Sequence, residues 1–185
     1  MLGAFAAYAV HAKKPVMAKR DAALGAKTNA CRVLDRLKVS YELRSYELDP
    51  DHLEAELVAE KVGLPAAQVF KTLCVRGDDQ SIVLAVIPGD RELDLKRLAK
   101  IAGCRSVAPI AVKELQQITG YIRGGVTALA CKKPFPVFAD ETLTSHEVVS
   151  ISAGQRGLQI LLAPADYVRA TQATLAPLAR VKAEA

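Results

Sequence analysis

The sequence contains no long apolar stretch. None of the runs in its 185 residues approaches the roughly 20 apolar residues that a membrane-spanning helix needs. The apolar start, residues 1–10, is followed rather than preceded by the basic pair Lys13 and Lys14, and it shows no cleavage site. We therefore expect a soluble protein with no signal peptide and no membrane partner.

Cysteine and histidine are scarce and scattered. The chain has four cysteines: Cys31, Cys74, Cys104 and Cys131. Successive cysteines lie 43, 30 and 27 residues apart, so none forms the close pair that a zinc site or a redox dithiol uses. The three histidines show no ligand spacing among themselves. This pattern predicts reduced core thiols in a cytoplasmic protein and no metal site.

Nucleotide-binding signatures are also missing. Gly124 and Gly125 lie in a predicted loop but lack the spacing of a phosphate-cradling lysine loop or of a dinucleotide fingerprint. No serine or cysteine stands in a recognisable arrangement with a histidine, as a nucleophile activated by a base would. The sequence therefore disfavours nucleotide hydrolysis and offers no obvious side-chain nucleophile.

Positive charge is concentrated near the amino terminus. Residues 1–40 carry eight Lys or Arg against two Asp, whereas the remainder carries 17 basic against 18 acidic residues. A basic segment of this kind suits a polyanionic partner through counterion release, although a solvated helix face would have the same composition. We expect residues 1–20 to form a basic, poorly ordered extension and residues 21–185 to form one domain.

Strand-like and helix-like patterns are interleaved irregularly. Apolar spacing predicts helices over 22–37, 53–62, 94–102, 112–118 and 165–171. Apolar or alternating runs predict strands over 41–48, 69–75, 81–87, 136–139, 148–152 and 158–162. Asp51 and Glu54 resemble a capping box before the second helix. This order predicts an α+β domain with a mixed, strongly curved sheet of about six strands, and it argues against a doubly wound parallel sheet.

Lys71 and Thr72 interrupt the apolar run 69–75, which is otherwise typical of a strand buried on both faces. Burying an ammonium without a partner is costly, so the position favours a chemical role for Lys71. Two structural explanations stay open. The ammonium could reach solvent from an edge strand, or a buried carboxylate could hold it.

Five segments, taken in order, resemble one known family. They are VFKTLCV, VIPGDRELDLKRLAKIAG, TGYIRGG, KKPFPVFADET and SISAGQRGLQILLAPADYVRAT, and the resemblance extends over about residues 29–171. Together they resemble the YbaK/EbsC family of aminoacyl-tRNA deacylases, which clear mischarged Cys-tRNA(Pro) and related mischarged tRNAs. The resemblance implies a barrel-like YbaK fold surrounded by helices, with no metal or organic cofactor. It also implies trans-editing hydrolysis in the cytoplasm, with the tRNA acceptor end as partner.

The same resemblance indicates site residues. It places the principal catalytic side chain on Lys71, a pocket-lining loop on the Gly-Gly pair and a turn on the Ser-Ala-Gly segment. The candidate substrate-binding residues are Tyr46, Thr72, Gly124, Gly125, Thr127, Ser152, Gly154 and Gln159. For the glycines and the serine, ordinary turn geometry is the alternative explanation, and Tyr46 could simply pack at the end of its strand.

The implied chemistry fits these residue types. Cleaving the ester between an amino acid and the terminal ribose builds negative charge on a carbonyl oxygen, which an ammonium and glycine N–H groups would stabilise. Lys71 could equally orient the ester by holding its carbonyl or the adjacent phosphate. In cysteine-specific members of the resembled family, the substrate thiol attacks its own ester and leaves as a thiolactone. A small pocket would exclude larger side chains.

Two departures from the family pattern leave the amino acid preference open. The segment Thr127-Ala128-Leu129-Ala130 replaces a Ser-Pro step, and Gln159 replaces an acid that many members carry. A deacylase for Ala-tRNA(Pro) or another small amino acid ester is therefore the nearest alternative. A non-catalytic aminoacyl-tRNA binding module, or a hydrolase or transferase of small esters or thioesters, would also fit. Selection of tRNA(Pro) would require a partner such as prolyl-tRNA synthetase.

Overall fold

Five helices accompany the sheet in the structure, a computed structural model that describes residues 27–182. They are α1 Asn29–Arg36, α2 Ala55–Val62, α3 Leu95–Ala102, α4 Val112–Thr119 and α5 Pro164–Thr171. Each overlaps a predicted helix, and the predicted stretch 22–26 of the first lies outside the described residues, as does the predicted extension 1–20. No described helix has the length and apolar character needed to cross a bilayer.

Local sequence signals set most helix ends. Thr28 caps α1 by accepting a hydrogen bond from the Cys31 backbone N–H at 3.2 Å. Asp94 caps α3 in the same way through the Arg97 N–H at 3.0 Å. Helix α2 ends at Val62, where the predicted helix 53–62 also ends, because Gly63 takes the left-handed conformation (φ 68°) that ends a helix and favours glycine.

The start of α2 differs from the prediction. The capping box predicted at Asp51 is wrong, because Glu54 is the N-cap residue and no side chain caps this helix. Residues 49–52 form a turn instead. Within it, Asp49 Oδ1 accepts from the Asp51 N–H at 3.1 Å and the Asp49 carbonyl accepts from the His52 N–H at 3.3 Å. The first i→i+4 hydrogen bond of the helix, from the Val58 N–H to the Glu54 carbonyl at 3.1 Å, lies beyond this turn.

Ten strands are present among the described residues. They are β1 Tyr41–Ser45, β2 Val69–Gly77, β3 Ile82–Pro88, β4 Arg91–Leu93, β5 Val107–Pro109, β6 Val137–Asp140, β7 Val149–Ser152, β8 Leu158–Leu162, β9 Thr174–Ala176 and β10 Ala179–Val181. All six predicted strands are confirmed. The four that were not predicted have three residues each.

Eight of these strands form one mixed sheet. Its order is β1-β8-β7-β2-β3-β6-β9, with β5 paired to β2, and β4 and β10 form a separate two-stranded sheet. The contacts β2–β7, β3–β6 and β6–β9 are parallel, whereas the hairpins β2–β3 and β7–β8 are antiparallel. The prediction of a single-domain α+β fold around a mixed sheet is confirmed.

Strand β2 has an interrupted edge. Along one side it pairs continuously with β3, from Phe70 to Arg76. Along the other side β7 pairs only with the Val69–Phe70 step and β5 only from Val75 onward. The segment 71–74 therefore has no strand partner on this side among the described residues. A cleft opens at this gap, and the segment contains Lys71 and Thr72.

Candidate active site

The cleft at the open edge of β2 has a volume of about 470 Å³. Its walls come from β2, α2, the start of α4, the loop that follows α4, the end of β7 and the start of β8. Six of the nine predicted site residues line it: Tyr46, Lys71, Thr72, Gly124, Ser152 and Gln159. The fold thus brings together residues that lie up to 113 positions apart in the chain.

Sheet register places three of these side chains on one face. The parallel pair Val69↔Ser150 puts these residues on the same face, so Lys71 and Ser152, two positions further along, share it as well. The antiparallel pair Ser152↔Gln159 adds Gln159. Paired strands are about 4.8 Å apart, so the Cα atoms of Val69 and Leu161, which both pair with Ser150, lie roughly 10 Å apart across β7. Lys71 and Gln159 stand two positions beyond this pair, at the cleft, and their long side chains can reach one substrate.

The Lys71 ammonium is held at the cleft by a backbone carbonyl. Its Nζ donates to the Gly89 oxygen at 2.9 Å, and the side chain is half-buried. Burial lowers the pKa of Lys71, and the nearby carboxylates of Asp90 and Glu92 oppose that shift. The described contacts of the ammonium include a backbone carbonyl and no carboxylate, so the explanation that a buried carboxylate holds Lys71 is not met.

Gly89 supplies the acceptor for Lys71 and was not among the predicted site residues. Its own N–H donates to the Val69 carbonyl at 2.7 Å. A Cβ at this position would lie 2.9 Å from the Ala55 Cβ and 3.0 Å from the Val69 oxygen. Only glycine lets the turn after β3 pass this close to α2 and β2. In the sequence, the Pro-Gly-Asp step directly after a buried strand is the signal that could have pointed to Gly89.

Thr72 offers its backbone groups to the open edge of β2, whereas Lys71 offers its side chain. Side chains alternate along a strand, so the Thr72 side chain projects to the opposite face, with Phe70 and Cys74. The Cys74 carbonyl accepts from the Ile110 N–H at 3.2 Å on the interrupted side of β2. Backbone groups alternate with the same period, so Thr72 directs its N–H and C=O toward that side too. There the described strands leave them unpaired.

The loop after α4 forms the opposite wall. Gly124 has φ 82°, and a Cβ there would lie 3.3 Å from Leu53 Cδ1 and 3.4 Å from Arg156 Nε. Arg156 Nε donates to the Arg123 carbonyl at 2.7 Å and so ties this loop to the turn between β7 and β8. Arg123 is exposed and lines the cleft.

Three predicted site residues do not line the cleft. Gly125 packs against the backbone of the β7–β8 turn, where its Cβ would lie 3.4 Å from the Gln155 Cα. Thr127 is fully buried, and its Oγ1 accepts from the Leu129 N–H at 3.4 Å. Gly154 has φ 89° and leaves no room for a Cβ beside the Tyr121 ring. These residues shape the loops that carry Gly124 and Ser152.

The side chains around the cleft include one thiol, Cys74. Burial raises the pKa of Cys74 to about 11 and that of Cys131 also to about 11, so both stay protonated at neutral pH. The thiolate is the nucleophilic form of cysteine. No described serine or cysteine hydrogen-bonds a histidine, and His146 contacts the Phe70 ring edge-on with centroids 6.2 Å apart.

Three possible metal ligands meet elsewhere, at the β2–β3 turn. Asp78, Asp79 and Cys104 place their ligand atoms within 4.8 Å of one another. Asp78 Oδ1 accepts from the Arg105 N–H at 3.0 Å, and Asp79 Oδ1 accepts from the Ser81 hydroxyl at 2.6 Å. These carboxylates close the turn, and none of the three residues lines the cleft.

Comparison with known proteins identifies the family. The model of the aminoacyl-tRNA editing domain matches residues 49–170. The chain is 42% identical over 152 residues to EbsC of Enterococcus faecalis, named a candidate Cys-tRNA(Pro)/Cys-tRNA(Cys) deacylase, and the match covers 82% of this chain and 93% of that protein.

Two more distant proteins are also similar to this chain. A proline–tRNA ligase of Lactobacillus delbrueckii subsp. bulgaricus is 23% identical over 142 residues; the match covers 70% of this chain but only 25% of the ligase. A crystal structure described as a candidate trans-editing enzyme for prolyl tRNA synthetase has a TM-score of 0.71 and 24% identity. It covers 82% of this chain and 97% of that one, which shows a shared fold. The chain therefore belongs to the aminoacyl-tRNA editing domain family, and its resemblance to the YbaK/EbsC proteins is confirmed.

Proposed function

We propose that this protein is a trans-editing deacylase that cleaves the ester of mischarged aminoacyl-tRNA, with Cys-tRNA(Pro) as its substrate. The observation that carries the proposal is the Lys71 ammonium, held at 2.9 Å by the Gly89 carbonyl beside an unpaired strand edge. EbsC, 42% identical, is named for the same substrate. The proposed setting is the cytoplasm, where translation takes place.

The open edge of β2 supplies donors for the reacting carbonyl. As the ester breaks, negative charge develops on its carbonyl oxygen, and donors already fixed in place stabilise that charge without reorganising. Lys71 Nζ and the Thr72 backbone N–H are donors at this edge. The substrate ester would lie along the segment 71–74, with its carbonyl oxygen replacing the missing strand partner.

In this proposal the nucleophile is not a side chain of the protein. The thiol of Cys74 is held protonated, with its pKa raised to about 11. In the proposed reaction the substrate thiol loses its proton and its sulfur attacks the ester carbonyl carbon. The bond from that carbon to the ribose oxygen then breaks, the ribose oxygen takes up a proton, and a thiolactone leaves. For an amino acid without a thiol, water would attack instead.

Selectivity follows from the size and character of the cleft. Its walls include apolar side chains from three elements and two loops: Val58, Leu73, Ile110, Leu115 and Val126. The space of about 470 Å³ must hold both the terminal nucleotide and the amino acid. A large side chain would therefore be excluded, in the manner of a hydrolytic sieve. The partner would be the tRNA acceptor end, delivered by a prolyl-tRNA synthetase.

A panel of aminoacyl-tRNAs tests this function. The chain should deacylate Cys-tRNA(Pro) with release of the thiolactone or its hydrolysis product cysteine, leave Pro-tRNA(Pro) intact, and lose its activity in Lys71→Ala. Binding of every tRNA without release of any amino acid would contradict catalysis and identify a binding module. Equal rates on Cys-tRNA(Pro) and on cysteine ethyl ester would contradict the tRNA partner. Preferential release from Ala-tRNA(Pro) would overturn the choice of cysteine.

A further inference from the structure

Gln159 is nearly enclosed yet borders the cleft. Only 6% of its surface is exposed. Its Oε1 accepts a hydrogen bond from Ser150 Oγ at 3.1 Å, and Ser150 is fully buried in β7. Ser150 does not line the cleft. The carboxamide is therefore oriented from behind by a hydroxyl that no substrate can reach.

The other end of this carboxamide has no partner within residues 27–182. In that part of the chain, two side-chain polar atoms are sealed from solvent without a hydrogen bond: Asp90 Oδ1 and Tyr167 Oη. Gln159 Nε2 is not one of them, so it is accessible to solvent, and Gln159 lines the cleft. In the opposite orientation Nε2 would have to donate to the Ser150 oxygen, and the hydroxyl would lose Oε1 as its acceptor. The observed arrangement turns Oε1 toward Ser150 and leaves the N–H groups of Nε2 for the cleft.

We propose that Gln159 is a specificity-determining residue that donates from Nε2 to an oxygen of the aminoacyl ester or of its terminal ribose, and that Ser150 is the positioning residue behind it. The inference rests on the proposed function, since it assigns substrate contacts within the same cleft. A donor cannot hold the substrate's α-ammonium, which needs an acceptor. The ammonium must therefore lie away from Gln159.

The Gln159 donor would discriminate between substrate poses according to whether they offer it an acceptor. Leaving a buried donor unpaired costs about 1–3 kcal/mol, so a substrate pose without an oxygen at this point is disfavoured. Gln159 lies on the same sheet face as Lys71, separated by one strand. Two donors spaced in this way fix the ester in two places, which restricts its rotation in the cleft.

Substitutions at Gln159 and Ser150 test the proposal. Gln159→Met keeps the side-chain length and removes the donor, and we expect kcat/KM on Cys-tRNA(Pro) to fall about 5- to 150-fold, the equivalent of 1–3 kcal/mol. Gln159→Glu replaces the donor with an acceptor and should be at least as impaired. Gln117→Met, the same change at an exposed position on α4 outside the cleft, is the matched control and should leave the rate unchanged.

A double-mutant cycle separates positioning from packing. Ser150→Ala should lower kcat/KM in the wild-type background but cost nothing further in the Gln159→Met background, because the amide it orients is gone. A purely structural effect of Ser150 would persist in both backgrounds. Thermal unfolding of each variant checks the fold. If Gln159→Glu does not fold because it buries a carboxylate, Gln159→Met alone tests the proposal.

The outcomes distinguish this inference from the proposed function. Full activity of Gln159→Met, or an increase in Gln159→Glu, would overturn the donor assignment while Lys71→Ala still abolished deacylation. No release by the wild type would refute the proposed function itself. A tRNA ending in 2′-deoxyadenosine separates the two oxygens: a cost of Gln159→Met that disappears on this tRNA assigns the ribose hydroxyl, and a cost that persists assigns the ester. Either result supports the donor.

Discussion

Replacing Lys71 with methionine should separate activity from stability. Methionine keeps most of the apolar stem and removes the ammonium. Loss of one preorganised donor to a developing oxyanion costs about 100- to 1,000-fold in kcat. The folded chain should tolerate the change, because the half-buried ammonium gives up hydration in exchange for one hydrogen bond to the Gly89 carbonyl. We expect the free energy of unfolding to change by less than about 1 kcal/mol.

The assay pairs single-turnover deacylation of Cys-tRNA(Pro) with urea unfolding. Lys61→Met is the matched control, because Lys61 Nζ also donates to a backbone carbonyl, that of Glu47, at 2.9 Å, but lies outside the cleft. Lys61→Met should keep the wild-type rate. Activity within threefold of wild type in Lys71→Met would refute the reasoning. So would an activity loss matched by unfolding, since the residue would then be structural.

Three further predictions follow from the same contacts. First, the lowered pKa of Lys71 means that the unfolded chain holds this proton up to about pH 10.5 while the folded chain releases it earlier. Wild-type stability relative to Lys71→Met should therefore rise with pH between the lowered value and 10.5, as followed by urea unfolding at several pH values; a fall would contradict the burial effect. Second, Cys74→Ala should retain deacylation within about threefold, whereas a complete loss would make Cys74 the nucleophile. Third, Gly89→Ala should lower kcat and destabilise the fold by about 1–3 kcal/mol, because its Cβ would lie 2.9 Å from Ala55; wild-type values for both would show that the turn can move freely.

Short-range patterns predicted most of the fold. The apolar runs 69–75 and 81–87 form the predicted strands, which pair as the β2–β3 hairpin. A strand that is buried on both faces needs no polar alternation, so a short apolar run is enough to predict it. Helix ends followed equally local signals, such as Gly63. The three-residue strands were missed because their backbone bonds depend on distant partners. Val107–Pro109, for example, becomes a strand only by pairing with β2.

The candidate site was only partly predictable from the chain. Lys71 stands out because a charge in an apolar run is energetically unusual. The common face of Lys71, Ser152 and Gln159 depends on a parallel register between strands about 80 residues apart, which no local pattern encodes. Gly89 and Ser150 each contact one cleft side chain through a hydrogen bond, and their residue types are equally common in ordinary turns and strands.

The central claim is that an ammonium at position 71 lowers the barrier to ester cleavage. The most direct measurement is the single-turnover rate of Lys71→Cys on Cys-tRNA(Pro), before and after alkylation of the new thiol with 2-bromoethylamine. The reaction rebuilds a side chain of lysine length with a terminal ammonium. We predict that the variant is inactive and that aminoethylation restores deacylation to within about tenfold of the wild type treated identically, whereas neutral alkylation with iodoacetamide restores none. Equal recovery after both treatments, or a Lys71→Cys variant as fast as wild type, would contradict the account.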